Sequence, residues 1–227
     1  MKKNLNSILS NYKVGTVKLN VHVLNSFIYD GIKKSKLNKK YTLLDIGCGS
    51  DSLIRYNKDV YKVGYDGHKK TIELAEKKNT HDEFVFGTFD ELKDNLKDRK
   101  FDFIIAIDFI EHLKKEDGYK LLEYIETKAN VGIALFTPNG FLKQSNLEKN
   151  DLMEHLSGWT KNEFEQKGYN VSGATGLKIL RKEFHRIKYK PIIFWTIVSY
   201  FSQIIFTKYL PNFAAAIWAL KYVNKRK

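Results

Sequence analysis

Five short apolar runs between residues 41 and 136, each separated from the next by polar or amphipathic sequence, constrain this chain more than anything else in it. They fall near 41–46, 60–65, 83–87, 101–107 and 130–136, and the stretches Lys69 to Lys78 and Lys115 to Lys128 between them have helical periodicity. Strands that alternate with helices need crossover connections, which lay the strands parallel in one doubly wound sheet with helices on both faces. Ligands of such sheets bind beyond the carboxyl ends of the strands. Candidate functional residues are therefore sought at those ends.

The first run ends most distinctively. Tyr41 to Leu44 leads into Asp45, Gly47, Cys48 and Gly49, and the two glycines let the backbone turn sharply and approach a ligand. A glycine turn alone also has a purely conformational explanation. The second run adds Asp66, whose carboxylate can accept hydrogen bonds from both hydroxyls of a ribose, so the pair of features predicts a nucleoside cofactor. The dinucleotide fingerprint needs a third glycine where this chain has Asp51, and Asp45 and Asp51 would repel a pyrophosphate. A cationic ligand suits these acids. S-adenosylmethionine combines a ribose, an amino group and a sulfonium, which turns the expectation from redox chemistry to methyl transfer.

At the level of motifs, LLDIGCG, VGYDG, FDFIIAIDFIEHL (101–113) and VGIALFTPNG resemble the first motif, the ribose-binding acid, the fourth strand with its loop and the fifth strand of class I S-adenosylmethionine-dependent methyltransferases. The resemblance spans roughly residues 41–182. More narrowly, GCGSDSLI, TPNGFL, HLSGWTKNEFEQKGYNV and GLKIL are similar to small methyltransferases associated with surface-glycan or secondary metabolism. The class resemblance implies an α/β, Rossmann-like, mostly parallel seven-stranded sheet with an antiparallel last strand, its final two strands being Val171 to Leu180 and Phe213 to Val223. It implies that Gly47, Cys48 and Gly49 present backbone to the methionine and ribose portions, with Asp45 near the ammonium, directly or through water. Asp66 would hold the ribose, and Gly67 and His68 would lie beside the adenine. Thr88 and Phe89 stand where the family often has an acid for the adenine, a departure with Asp90 two positions on, and Asp108 follows the fourth strand.

Methyl transfer is an in-line displacement that needs a positioned nucleophile and, for a hydroxyl, a group to take its proton. His112 in IDFIEHL and His155 in EHLSGWT are the candidate bases, each with a competing role in packing or loop closure. Glu111, Asn139 and Trp159 are candidate acceptor contacts. No metal is expected, because no His or Cys pair stands at helical ligand spacing.

The chain has 227 residues, 43% apolar and 29% charged, the composition of one globular α/β domain with a modest addition. Residues 1–40 read as an N-terminal helical cap, with Leu19, Val23, Leu24, Phe27, Ile28 and Ile32 at helical spacing, and 41–227 as the methyltransferase domain. One cysteine excludes a disulfide framework, and MKKNLNSILSNYK lacks the apolar core of a secretory signal, so a cytoplasmic enzyme is expected. A helical insertion, 184–211, precedes the last strand; in it Ile192 to Phe206 is uncharged, with Thr196, Ser199 and Gln203 in a narrow polar stripe. At 1.5 Å per residue it reaches about 22 Å, short of the roughly 30 Å of a bilayer core. Basic residues flank it through 181–210, as expected of a helix lying on an anionic membrane, the alternatives being packing on its own domain or a homodimer contact. The expected acceptor is an oxygen, with nitrogen second, of a small-molecule, glycan or lipid-linked substrate. The net charge of +13 keeps RNA methylation as an alternative, but TPNG replaces the NPPY-type motif and no RNA-binding module is appended. A noncatalytic cofactor-binding regulator is the third reading.

Overall fold

The computed structural model describes residues 2–36, 38–144 and 151–223. Seven strands, β1 (Tyr41–Ile46), β2 (Val60–Asp66), β3 (Glu83–Phe86), β4 (Phe101–Ile107), β5 (Ala129–Pro138), β6 (Asn170–Leu177) and β7 (Ala214–Tyr222), form one sheet in the order β3-β2-β1-β4-β5-β7-β6. The first five pair in parallel, and β7 runs antiparallel to both of its neighbours, β5 and β6. This is the doubly wound sheet expected of the sequence. The central strands are continuous apolar runs because both faces are covered: Leu43, Leu44, Val63, Phe103, Ile104 and Ile105 are all fully buried.

Among the described residues six helices flank the sheet: α1 (Lys2–Ser35), α2 (Lys69–Lys77), α3 (Leu92–Leu96), α4 (Lys115–Lys128), α5 (Lys161–Gln166) and α6 (Ile192–Ser202). On one face Leu92 and Leu96 of α3, Leu121, Leu122 and Ile125 of α4 and Phe164 of α5 pack on Leu44, Ile104 and Ile133. On the other, Leu24, Phe27 and Ile28 of α1 pack on Leu43, Phe103, Ile105 and Val131. Each such buried side chain contributes about 1.5–3 kcal/mol, so α1 is a structural layer of the domain rather than an appended arm. Thr160 caps α5 through a capping box, its hydroxyl and amide both donating to Glu163.

Two boundaries differ from expectation in an instructive way. The strand expected from Val171 to Leu180 ends at Leu177 and gives way to a 3-10 turn, Lys178–Leu180. Gly176 sits at φ +75°, and a Cβ there would lie 2.3 Å from the Ser199 carbonyl oxygen. The insertion therefore presses directly on this strand. Its helix, α6, ends at Ser202 and continues as a π turn, Gln203–Thr207.

The polar stripe of the insertion faces inward. β6 is a sheet edge, and its unpaired backbone groups are met by side chains of α6 and the π turn after it: Gln203 Oε1 accepts from the Gly176 amide at 2.7 Å, Gln203 Nε2 donates to Gly173 O at 3.0 Å, and Ser202 Oγ accepts from the Leu177 amide at 3.2 Å. Ser199 and Thr196 are buried in the same contact zone, and Arg181 donates to Ser199 Oγ. An open edge invites pairing with another chain, and here side chains occupy it. No helix among the described residues is long and apolar enough to cross a membrane. Replacing Gln203 by Leu strips two edge groups of their partners and is expected to lower stability by about 2 kcal/mol, with thermal denaturation as the measurement. An unchanged melting temperature would show that this edge is not held by the stripe.

Candidate active site

Parallel register decides what meets at the carboxyl edge. Ile46 is level with Tyr65 of β2 and with Ala106 of β4, so the residues that follow, Gly47, Asp66 and Ile107, come off the sheet side by side. A cleft of about 730 Å³ opens there, within the range of small-ligand sites. Its lining includes Asp45, Gly47, Cys48, Gly49, Asp66, Gly67, His68, Thr88, Phe89, Asp108, Glu111, His112 and His155.

At one end stands the glycine loop. Gly47 and Gly49 adopt φ of +69° and +59°; a Cβ on Gly47 would meet the Phe109 ring at 2.4 Å, whereas one on Gly49 would enter open space. The amides of Gly47 and Cys48 both donate to Tyr65 O, at 2.8 and 3.1 Å, and the Gly49 amide donates to Asp66 Oδ2 at 3.0 Å. Three successive N–H groups are thus spent inside the protein. A phosphate needs such donors. The loop has carbonyl oxygens left to offer, which suits a cation.

Asp66 accepts one backbone amide on each oxygen, from Gly49 and from His68 at 2.8 Å, which fixes the carboxylate while leaving each oxygen a further lone pair. Burial raises its pKa against the lowering effect of these two bonds. Asp45 is held harder. Its Oδ2 accepts from Ser52 Oγ at 2.5 Å and lies 3.1 Å from His81 Nε2, and His81 Nδ1 is 2.9 Å from Thr80 Oγ1. Sequence reasoning missed Ser52 and His81, for which no local motif exists because His81 comes from the loop ahead of β3, 36 positions after Asp45. Desolvation, with Asp45 and Asp66 nearby, pushes the Cys48 thiol far up, so this cysteine is inert filler in the loop. His68 Nδ1 pairs with Thr71 Oγ1 at 2.7 Å, and Thr88 Oγ1 donates to Glu91 at 2.9 Å.

The other end is built by a clamp. Segment 154–159 folds onto the turn after β4: Leu156 N and Ser157 N both donate to Glu111 O, and Ser157 Oγ donates to Ile110 O. The clamp brings His155 against His112, ring centroids 4.8 Å apart. Asp108, at φ +49°, lines the cleft with its side chain exposed to it. Desolvation raises its pKa to about 7 and, with the neighbouring Asp108 charge, lifts Glu111 well above the carboxylate range. The two carboxyls therefore resist simultaneous ionisation. Desolvation lowers His112 and His155, which favours neutral imidazoles.

Two expected acceptor residues are placed elsewhere. Trp159 is fully buried in the core, stacked on Phe164 at 5.4 Å and set against Gly118, with its Nε1 donating to Ser157 Oγ. Asn139 is buried too, its Nδ2 donating to Pro211 O and Ala214 O at 2.9 Å, so it ties the end of β5 to the start of β7. The sequence makes both candidate acceptor contacts, and the structure spends both on holding the chain. In their place His185 lines the cleft, with both ring nitrogens buried and unpartnered. Its sequence context, the basic stretch that opens the insertion, carries no signal of a site.

Residues 44–129 match the profile of a family described as a methyltransferase domain. Over that stretch the chain is similar to methyltransferase domains. Solved structures with the same fold include the plantazolicin methyltransferase BpumL in complex with a triazolic desmethylPZN analog and SAH, at 16% identity and a TM-score of 0.58, covering 97% of this chain and 91% of that one. A SAM-dependent methyltransferase from Archaeoglobus fulgidus aligns at 17% identity and a TM-score of 0.55, covering 91% and 94%. Magnesium protoporphyrin IX methyltransferase from Synechocystis PCC 6803, with bound SAM, aligns at 13% and 0.51, covering 95% and 83%. No curated protein matches the chain.

Replacing Asp66 by Ala removes two charge-assisted acceptors, each worth about 1.5–3 kcal/mol, and is expected to weaken S-adenosylmethionine binding at least tenfold in calorimetric titration. Because the ionised carboxylate is the acceptor and its pKa is raised, wild-type affinity should fall as pH drops through that raised value and hold above it. Asp66→Asn should flatten the profile. Equal affinity of Asp66→Ala and wild type would remove Asp66 from the cofactor site.

Proposed function

We propose that this methyltransferase moves the methyl group of S-adenosylmethionine to an oxygen of a small-molecule or glycan acceptor. One observation carries the reading: a single cleft has acceptors for a cationic nucleoside at the Asp45 and Asp66 end, and a carboxyl and imidazole cluster of Asp108, Glu111, His112 and His155 at the other. Gly47, Cys48 and Gly49 offer carbonyls toward the ammonium, Asp66 holds the ribose, and Gly67, His68, Thr88 and Phe89 flank the adenine. A hydroxyl must lose its proton as it attacks, and neutral His112 and His155 have that capacity. His185 contacts the acceptor through its unpartnered ring. The neighbours named for plantazolicin and for magnesium protoporphyrin IX take chemically unlike acceptors, so the fold leaves the acceptor class to the cleft. In a screen of hydroxyl acceptors read by S-adenosylhomocysteine release, His112→Ala and His155→Ala should lower turnover at least a hundredfold with cofactor affinity kept, and His185→Ala should raise KM more than it lowers kcat. Methylation confined to amines or RNA would refute the oxygen reading.

The same reading places the enzyme on an anionic membrane, with a lipid-linked acceptor. Because the polar stripe of α6 is used on β6, its apolar residues face out: Phe194, Ile197, Phe201 and Ile204 are exposed, and Ile205 is 72% exposed. Lys182, Lys188, Lys190 and Lys208 surround them, exposed as well. Apolar side chains ringed by lysines match the acyl boundary and phosphates of an anionic bilayer, and exposed apolar patches of this kind mark interaction sites. Sedimentation with phosphatidylglycerol vesicles should retain wild type at low salt and lose the Phe194→Ser/Phe201→Ser/Ile205→Ser variant, with the circular dichroism spectrum unchanged. Failure of wild type to bind, or a concentration-dependent dimer abolished by the same substitutions, would replace the membrane by a second copy.

A further inference from the structure

We propose that Glu111, His112 and His155 form a binding site for a first-row divalent cation at the acceptor end of the cleft. One ligand atom from each lies within 4.8 Å of the others. Bonds of about 2.1 Å to one ion put ligands about 3–4 Å apart, so small side-chain rotations close the set. The residues are 43 positions apart along the chain at the extremes of the histidine pair, and only the clamp over the Glu111 carbonyl brings them together.

The tautomers are the second observation. His112 Nδ1 lies 3.0 Å from Glu154 O, and His155 Nδ1 lies 2.6 Å from Leu142 O. A carbonyl can only accept, so each Nδ1 carries the hydrogen, and each neutral ring presents the lone pair of Nε2. This is the arrangement that orients metal-binding histidines. Glu111 repeats it. Thr137 Oγ1 donates to its Oε2 at 2.9 Å, while Oε1 is buried without a partner in a residue only 2% exposed. A buried carboxylate oxygen without a partner is unfavourable unless a proton or a cation meets it. A proton shared with Asp108 would satisfy Glu111 alone. A cation satisfies Glu111 and both imidazoles together.

Two nitrogens and one carboxylate favour Mn²⁺, Fe²⁺, Co²⁺ or Zn²⁺ over Mg²⁺ or Ca²⁺, which prefer oxygen. The three residues leave coordination positions open toward the cleft, beside Asp108. There the ion binds the acceptor hydroxyl as a Lewis acid and acidifies it. With both imidazole lone pairs on the ion, Asp108 takes the place of the histidines as the base: the hydroxyl proton passes to it and on to water, the oxygen forms its bond to the methyl carbon, and the carbon–sulfur bond breaks with its electron pair staying on sulfur. A neutral thioether leaves. This catalytic role rests on the oxygen-transfer reading above; the site itself does not.

The test is a Mn²⁺ titration of the chelator-treated, untagged full chain, followed by electron paramagnetic resonance. Wild type should bind one Mn²⁺ per chain with micromolar affinity. Glu111→Gln and His155→Ala should each weaken it at least tenfold, His112→Ala/His155→Ala should abolish it, and Thr137→Val should weaken it about 10–100-fold through the orientation of Glu111. S-adenosylmethionine affinity, measured on the same variants, should stay within twofold and so report the fold. Wild-type binding no tighter than that of the double variant overturns the site. Methylation of a hydroxyl acceptor at full rate in metal-free protein overturns its role in the reaction while upholding the oxygen reading. Tight Mn²⁺ binding with no hydroxyl methylated upholds the site and refutes that reading.

Discussion

The cleft depends on the parallel register of β2, β1 and β4. Because Tyr65, Ile46 and Ala106 are level, the loop after each strand starts from one line across the sheet, and residues separated by some sixty positions in sequence face a common space. The order β3-β2-β1-β4-β5 reverses direction at β1, which parts the flanking helices and leaves that space unfilled. Burial of both sheet faces holds the register. Slipping β1 by one residue would exchange the apolar contacts of Leu43 and Leu44 between the two cores.

Within that frame, hydrogen-bond supply selects the ligand. The amides of Gly47, Cys48 and Gly49 are spent on Tyr65 O and Asp66, so the loop that in other nucleotide sites donates to phosphate is here a source of acceptors. Asp66 is pinned by two amides, one on each carboxylate oxygen. Asp45 works differently, because Ser52 and His81 hold one of its oxygens and make it the anchor of the loop.

The insertion shows one segment meeting two demands. β6 ends the sheet, and its free backbone groups need partners; Ser199, Ser202 and Gln203 supply them from α6. Once the polar residues of a mostly apolar helix turn inward, its phenylalanines and isoleucines must face out. The exposed apolar surface is thus a direct consequence of capping the edge. The insertion also carries His185 into the lining of the cleft.

The periodicity of the apolar runs, the positive-φ glycines of the loop and the acid at Asp66 were legible because each is a local property: strand burial, turn geometry and the residue that ends a strand are written in consecutive positions. The α5 capping box was legible for the same reason. Asn139 and Trp159 show where local reading stops, since polar or aromatic loop residues look alike in sequence whether they face a ligand or, as here, fasten the chain. The convergence of Glu111, His112 and His155 and the pairing of His81 with Asp45 exist only after folding, because no spacing rule links residues delivered by different strands and clamps. The sequence by itself determined which strands form and what chemistry their ends can offer. Tertiary structure decided which of those groups remain free to use it, because every hydrogen bond given to the scaffold is one withheld from a ligand.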